Sequence, residues 1–98
     1  MNNILAMTDP QSIKLPIDGT LDLHTFLPRE IMDLVPEYLA ACRERGITQV
    51  RIIHGKGVGT LRRIVESVLR ELTYVESFRT ADELAGGWGA TIVTLRRI

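Results

Sequence analysis

The stretch His54-Gly55-Lys56-Gly57-Val58-Gly59-Thr60 follows a run of β-forming residues, Gln49 to Ile53, and opens into a segment with helical periodicity. A strand, a glycine turn and a helix start in this order form an anion site. Glycine lets the backbone adopt a positive φ, and the first-turn N–H groups of the helix point into the same space. His54 adds a ring nitrogen and Lys56 adds a positive charge. The stretch therefore predicts a phosphate-binding loop that also offers proton transfer.

Two common phosphate loops do not fit this stretch. The P-loop requires G-x-x-x-x-G-K-[ST], whereas here the lysine precedes the second glycine. The dinucleotide fingerprint G-x-G-x-x-G fails because the spacing from Gly57 to Gly59 is one residue short, and 98 residues leave no room for a six-stranded double fold. A nucleotide-binding enzyme of either class is therefore disfavoured.

The predicted helix after the loop has a counterpart earlier in the chain. Its apolar stripe occupies positions 61, 64, 65, 68, 69 and 72, and the same stripe occurs thirty residues earlier at 31, 34, 35, 38, 39 and 42. Both segments predict amphipathic helices. Pro36 should bend or split the first of them near Leu34-Val35, because its ring removes one backbone hydrogen bond.

The same thirty-residue offset relates His24 to His54, and each follows a predicted strand. Two βα units in equal register would place both histidines at the carboxyl ends of parallel strands, where ligands bind in open α/β sheets. A six-point apolar stripe is common, so the repeat could be coincidence. The shared histidine position favours a real repeat.

The segment Thr20 to His24 predicts the first strand, with Asp22 and His24 on one face. A carboxylate next to a histidine can hold its tautomer or raise its basicity. The alternative is an exposed strand end with two unconnected polar residues.

The last third of the chain predicts two strands, Tyr74 to Phe78 and Ala90 to Leu95, which could form a hairpin with a long connection. Trp88, among three glycines of that connection, is a possible base contact through stacking. A tryptophan that caps a small core is the alternative, and it is slightly favoured. At the other end, residues 1–12 predict a flexible tail, and Pro16 limits residues 13–17 to an edge strand or an extended arm.

Composition indicates one domain with a modest two-layer core. The only cysteine, Cys42, excludes an internal disulfide and lies on the first apolar stripe, where it predicts inert packing. There is no apolar run of 18 residues and no secretory signal at the start. We therefore expect a cytoplasmic protein with no membrane span, and a monomer because no oligomerisation surface is evident.

Charge is balanced overall, with twelve basic and twelve acidic residues, but it is unevenly distributed. The span from Arg43 to Arg70 holds seven basic residues and only two acidic ones, Glu44 and Glu66. This asymmetry allows a basic face that binds nucleic acid on a neutral protein. A solvated helix surface is the alternative for any single arginine.

Three segments together resemble the Smr (small MutS-related) domain family. They are Leu21-Asp22-Leu23-His24, the loop His54 to Gly59, and Gly86-Gly87-Trp88-Gly89-Ala90-Thr91, in the order and spacing of that family. The resemblance extends from about Asp18 to Leu95, with Thr25 in place of the family's usual glycine, and we assign an Smr-like domain to residues 13–98. Such a protein would be a stand-alone member.

The resemblance implies an α/β fold of the α+β two-layer type, βαβαββ, with two main helices and a mixed four-stranded sheet. It also implies nucleic-acid binding and, as in several members, endonuclease activity on DNA or RNA. The family's functional positions fall on Asp22 and His24 in the first motif and on the second-motif loop, with residues His54, Gly55, Lys56, Gly57 and Gly59.

The first hypothesis is a phosphodiesterase. His24 and His54 would transfer protons, Asp22 would orient His24, and Lys56 with the loop amides would hold the phosphate. On RNA the substrate's own 2′-OH could attack, so that no metal is required. A divalent cation, Mg or Mn, could bind Asp22 and one histidine, but two ligands are too few to define a metal site.

The second hypothesis is a non-catalytic module that grips backbone phosphates of DNA or RNA. It would use the same loop together with Arg51, Arg62 and Arg63, so that binding would depend steeply on salt and little on sequence. The sequence does not distinguish DNA from RNA, and a ribosome or repair proteins could deliver either substrate.

Overall fold

A computed structural model describes residues 15–98 of the protein. Its helices and strands run in the order β1 (Thr20–Asp22), α1 (Pro28–Glu44), β2 (Gln49–Ile53), α2 (Thr60–Glu71), β3 (Val75–Thr80) and β4 (Ala90–Leu95). This order confirms the predicted βαβαββ arrangement. The predicted tail 1–12 and the first two residues of the predicted arm 13–17 lie outside the described residues.

The four strands form one mixed sheet in the order β1-β2-β4-β3. Strands β1 and β2 are parallel, whereas β4 is antiparallel to both β2 and β3. The predicted hairpin of the last two strands is confirmed, and its connection contains two short 3₁₀ turns, Glu83–Ala85 and Gly87–Gly89. The fold is therefore the α+β sandwich that the sequence predicted.

Both helices pack on one face of the sheet and bury their apolar stripes in a single core. In α1 all six predicted positions are buried, namely Ile31, Leu34, Val35, Tyr38, Leu39 and Cys42. In α2 three positions are buried (Val65, Val68 and Leu69) and two are half-buried (Leu61 and Ile64), as is Leu72 just after the helix. The opposite face is covered in part by the β3–β4 connection, over a small cluster of Ala81, Ala90 and Ile92.

Helix α1 runs without a break from Pro28 to Glu44 and includes Pro36. Of the predicted bend or split near Leu34-Val35, the split is therefore wrong. Proline removes one backbone hydrogen bond at this turn, but the buried positions before and after it pack into the same core and keep the helix continuous.

Strand β1 is shorter than predicted, because it ends at Asp22 rather than His24. Leu23 N–H still donates to Ile53 O (2.9 Å), but Phe26 N–H then donates to Leu23 O (3.0 Å) and closes a turn. His24 consequently lies in the turn after the strand.

Tyr38 fixes the start of β1 against α1. The buried phenol oxygen accepts from Gly19 N–H (3.2 Å) and donates to Thr20 O (3.0 Å). Burial raises the pKa of Tyr38 to about 12, so that the hydroxyl keeps its proton. The helix thereby positions the strand that leads to Asp22.

Cys42 is buried on the α1 stripe as predicted, and burial raises the pKa of its thiol. Within residues 15–98, the helices are all too short or too polar to cross a membrane.

Candidate functional site

The carboxyl ends of β1 and β2 meet at one edge of the sheet. Asp22 is paired with Ile53 in the parallel register, and the chain continues from these two residues into the turn of His24 and the loop of His54. Both histidines therefore follow neighbouring parallel strands at the same edge, as the thirty-residue offset predicted.

Asp22 and His24 form a hydrogen-bonded pair at the protein surface. Asp22 Oδ1 lies 2.9 Å from His24 Nδ1 and also accepts the backbone N–H of His24 at 3.0 Å. Partial burial raises the pKa of Asp22, but the hydrogen bonds from His24 and the attraction of His24 and Arg51 outweigh it, and the net pKa is lowered. An ionised carboxylate can only accept, so Nδ1 carries a proton, and in the neutral ring Nε2 presents a lone pair. The His24 side chain is 76% exposed, which leaves Nε2 open to a substrate.

His54 has the opposite environment, since its side chain is buried and only 7% of the residue is exposed. Nδ1 lies 3.1 Å from Gly55 O and Nε2 lies 2.9 Å from Thr91 Oγ1. A carbonyl only accepts, so Nδ1 donates to Gly55 and Nε2 accepts from the Thr91 hydroxyl. Burial lowers the pKa of His54 and favours the neutral ring. Its proposed role in proton transfer stays a prediction, and that role would require the bond to Thr91 to break.

The glycine loop is anchored to the β3–β4 connection through one carbonyl. Gly89 O accepts from the backbone N–H groups of both His54 (3.0 Å) and Gly55 (2.9 Å). The next three amides, those of Lys56, Gly57 and Val58, have no acceptor among residues 15–98. They remain available to a bound anion.

The start of α2 is also open. Its N-cap residue is Gly59, which has φ +91°, offers no side-chain cap and is followed by no acidic residue in the first turn. Helix α1 differs, because its own Glu30 accepts the N–H of Leu27 at 2.7 Å. The N–H groups at the start of α2 therefore face solvent with no internal carboxylate to compete for them.

An open cleft of about 300 Å³ lies in front of the loop and the start of α2. It is lined by Gly55, Lys56, Gly57, Val58, Gly59, Arg62, Arg63, Glu66 and Trp88. The predicted phosphate-binding residues Gly55, Lys56, Gly57, Gly59, Arg62 and Arg63 all lie along this cleft, together with Trp88, whereas Arg51 does not.

The cations of the cleft differ in their partners. Arg62 is paired with Glu66 (3.2 Å) and donates to Thr80 Oγ1 (3.3 Å). Lys56 and Arg63 are exposed and have no ion-pair partner among the described residues. These two carry the positive charge that a ligand would meet first.

Arg51 is engaged elsewhere. It is half-buried and donates from Nη1 to Ala85 O (3.1 Å), so that it holds the β3–β4 connection against the sheet. Trp88 is 55% exposed and is not among the buried or partly buried residues of either cluster, so that about half of its surface is open to a ligand.

Sequence reasoning gave no role to Thr91 or to the carbonyl of Gly89. A signal existed for Thr91, because it shares the core-facing side of β4 with Val93 and Leu95. A polar side chain at such a position predicts a buried hydrogen-bond partner. Among residues 15–98, there is no group of three or more His, Cys, Asp or Glu side chains placed to hold a metal ion.

Comparison with known sequences gives consistent matches over the whole sandwich. A family model described as the Smr domain matches residues 21–96. The chain is 41% identical over 76 residues to a protein named endonuclease MutS2 from Symbiobacterium thermophilum. The aligned region covers 78% of this chain and 10% of that relative. The chain is 37% identical over 92 residues to the protein of the same name from Carboxydothermus hydrogenoformans, with coverage of 94% and 11%. The chain thus spans about a tenth of the length of these curated relatives.

Two solved structures have folds similar to that of this chain. The Smr domain of Thermus thermophilus MutS2 has a TM-score of 0.75 and 37% identity, and covers 81% of this chain and 99% of that one. YdaL, a stand-alone small MutS-related protein from Escherichia coli, has a TM-score of 0.78 and 31% identity, with coverage of 84% and 67%.

Proposed function

The chain belongs to the Smr domain family, and from this premise we propose that it binds DNA or RNA and cleaves its phosphodiester bonds. Its homology to the Smr domains of endonuclease MutS2 proteins supports this assignment. The observation that carries the proposal is the exposed, carboxylate-bound imidazole of His24 at the same sheet edge as the open start of α2.

Binding of a backbone phosphate would use the loop and the first turn of α2. The amides of Lys56 and Gly57 and the first-turn amides of the helix supply hydrogen bonds, and the partial positive charge of the helix end adds to them. Lys56 and Arg63 add full charges at the mouth of the cleft. None of these contacts reads a base, so they would position the strand without sequence preference.

The chemistry would centre on His24. Nε2 takes a proton from the attacking oxygen, and the Asp22 carboxylate stabilises the imidazolium that forms and holds its orientation. The negative charge that develops on the phosphorane is met by the loop amides and Lys56.

On RNA the attacking oxygen can be the 2′-OH of the substrate. Its bond to phosphorus forms as the bond to the 5′ oxygen breaks, the 2′-OH proton passes to His24 and the 5′ oxygen takes a proton from water. The hydroxide that remains then takes the proton from the His24 imidazolium, which restores water and the neutral ring. Such a reaction leaves a 2′,3′-cyclic phosphate and should continue in EDTA. A strict requirement for Mg²⁺ would count against this route.

A non-catalytic binding module is the second candidate, and one observation favours it. Both ring nitrogens of His54 are engaged within the protein, so only one imidazole at this edge is free to exchange a proton with a ligand. A module of this kind would use the same cleft for phosphate and leave the strand intact.

The two candidates are separated by His24→Ala. Supercoiled plasmid DNA and an end-labelled RNA strand are incubated with each variant, and cleavage and affinity are measured on the same substrates. We expect the wild type to cleave one or both, and the variant to be slower by about 10² to 10⁴ with its affinity retained. Thr25→Ala, an exposed change in the same turn, is the matched control and should cleave like the wild type.

Each outcome distinguishes the candidates. Binding without cleavage by the wild type would favour the module, and cleavage that survives in His24→Ala would exclude His24 as the base. Absence of binding to any nucleic acid would overturn both.

A further inference from the structure

We propose that the site takes nucleic acid at an unpaired nucleotide, whose base stacks on Trp88 while its neighbouring phosphate lies in the cleft before α2. This inference rests on the proposed function and specifies its substrate class: single strands, flaps and bulges rather than continuous duplex.

Trp88 stands between two concave surfaces. One is the phosphate cleft of about 300 Å³ beside the glycine loop. The other, of about 610 Å³, is lined by Lys56, Trp88 and the start of the β3–β4 connection. A large aromatic ring that is 55% exposed and borders an anion site offers a face for a base of the same strand.

The side chain of Lys56 lies beside the turn that carries Trp88. The stem of Lys56 lies over the glycine turn, since a Cβ added to Gly89 would come within 2.9 Å of Lys56 Cγ, and one added to Gly87 within 3.9 Å of Lys56 Nζ. The ammonium group therefore lies beside this turn. A nucleotide could place its phosphate near Lys56 and its base against Trp88.

The two concave surfaces differ in charge, and the difference indicates where each part of the nucleotide goes. Lys56, Arg62 and Arg63 border the phosphate cleft, where Glu66 is the one carboxylate among the lining residues. On the other surface the carboxylates of Asp82 and Glu83 outnumber the one lining cation, Lys56, so this surface disfavours a phosphate but can accept hydrogen bonds from the amino groups of a base. The phosphate therefore belongs in the first and the base in the second.

A continuous duplex does not satisfy this arrangement, because both faces of each base are covered by stacked neighbours. Extruding a base costs unstacking and unpairing energy, which is smallest where the nucleotide is already unpaired. The Trp88 contact should therefore raise affinity for unpaired nucleotides over duplex of equal length.

Trp88 is the only tryptophan in the chain, so its fluorescence reports directly on stacking. Short single strands of DNA and of RNA and a duplex of the same length are titrated at equal salt. We expect saturable quenching by one or both single strands and little by the duplex. An abasic strand, with the same phosphates and no bases, should not quench.

Affinity is then measured for variants with a labelled strand. Trp88→Ala should bind single strands about tenfold more weakly than the wild type and should no longer prefer them to duplex or to the abasic strand. Trp88→Phe should keep part of the preference. Leu84→Ala removes a fully exposed apolar side chain of the same connection and should change nothing.

The failures of the two proposals are distinct. Equal binding of single strand and duplex with unchanged Trp88 emission would overturn this inference and leave the proposed function standing. Absence of binding to all three nucleic acids would overturn both. Since Trp88 lies outside the buried clusters, its substitution should leave the circular dichroism spectrum unchanged. If a folded Trp88→Ala variant still prefers single strands, the inference is also refuted.

Discussion

The hydroxyl of Thr91 lies 2.9 Å from Nε2 of His54, and the two residues are 37 positions apart in the chain. Because the other ring nitrogen donates to Gly55 O, the hydroxyl must donate to the imidazole. The ring therefore links β4 to the start of the glycine loop through two hydrogen bonds. Both bonds require the tautomer that carries its proton on Nδ1. The bond to Thr91 gives His54 a structural role. His24 differs, because its side chain is exposed to solvent.

Removing the Thr91 hydroxyl should destabilise the fold. Thr91→Val keeps the shape of the side chain but leaves a buried nitrogen without a donor, so the free energy of unfolding should fall by about 1 to 3 kcal/mol. Urea denaturation measures the loss. Thr94→Val, on the same strand, is the matched control, because the Thr94 hydroxyl has no hydrogen-bond partner within the described chain, and it should change stability by less than about 0.5 kcal/mol. Equal losses in the two variants would show that the bond contributes nothing.

Stability should also fall as the pH drops below the ordinary pKa of histidine. Burial lowers the pKa of His54 from 6.5; Arg62 acts in the same direction, while the bond to Gly55 and the charge of Glu66 act against it. The unfolded chain then binds a proton at a pH at which the native ring stays neutral. This stabilisation is complete above 6.5 and is lost as the pH falls from there towards the lower native pKa.

Urea midpoints between about pH 7.5 and pH 5 test this dependence. His54→Asn has no titrating ring and should show a flatter profile over the same interval. If the slope is the same in both proteins, the burial of His54 is not its cause.

The two helices and the two βα units could be predicted from local, periodic signals, whereas the mixed four-stranded sheet was implied by the resemblance to the Smr domain family. The two apolar stripes predicted both helices and their buried positions, and the thirty-residue offset predicted that both histidines follow parallel strands. Pro36 does not split the helix, since packing of the whole helix outweighs one missing hydrogen bond.

The candidate site was less predictable, because its contacts join residues far apart in the chain. The sequence pattern predicted equivalent positions for His24 and His54. In the structure, hydrogen bonds to the distant residues Thr91 and Gly89 hold His54 in the interior. Arg51 is another example, since its partner is a carbonyl 34 residues away. Composition and spacing identify which residues lie at the sheet edge. They do not determine which of these side chains have hydrogen-bond partners within the protein and which are open to a ligand.

Neutralising Asp22 should slow cleavage without disturbing the turn. In Asp22→Asn the amide oxygen can still accept the backbone N–H of His24, but the negative charge that supports the imidazolium is lost. We expect a rate lower by about 10- to 100-fold with affinity unchanged, measured on the substrate that the wild type cleaves. Glu44→Gln removes one negative charge at the far end of α1 and should have no effect. A rate that is insensitive to Asp22→Asn would refute the orienting role.

A methyl group at Gly89 should distort the phosphate loop. The added Cβ would lie 2.9 Å from Lys56 Cγ and 3.4 Å from the carbonyl carbon of Gly55, at the residue whose own carbonyl anchors the loop. Gly89→Ala should therefore cost about 1 to 3 kcal/mol in urea denaturation and weaken binding of nucleic acid.

Gly57 supplies the matched control for this change, because a Cβ there meets nothing within 4 Å and its φ is outside the left-handed region. Gly57→Ala should keep the stability of the wild type. Its affinity should nevertheless fall, since the methyl would stand where the proposed phosphate approaches the loop. Equal stability of the two alanine variants would contradict the close contact between Gly89 and Lys56.

The salt dependence of binding should identify Arg63 as a phosphate contact. Arg63 lies exposed along the cleft and has no ion-pair partner within residues 15–98, whereas Arg62 is already paired with Glu66. A cation that neutralises one phosphate releases about one counterion, so Arg63→Ala should reduce the slope of log affinity against log salt by about one. Arg45→Ala, an exposed change just beyond the end of α1, should leave the slope unchanged. Anisotropy titrations of a labelled strand between about 50 and 200 mM salt give both slopes. Equal reductions in the two variants would mean that the arginines act through the overall charge of the protein and that Arg63 makes no specific phosphate contact in the cleft.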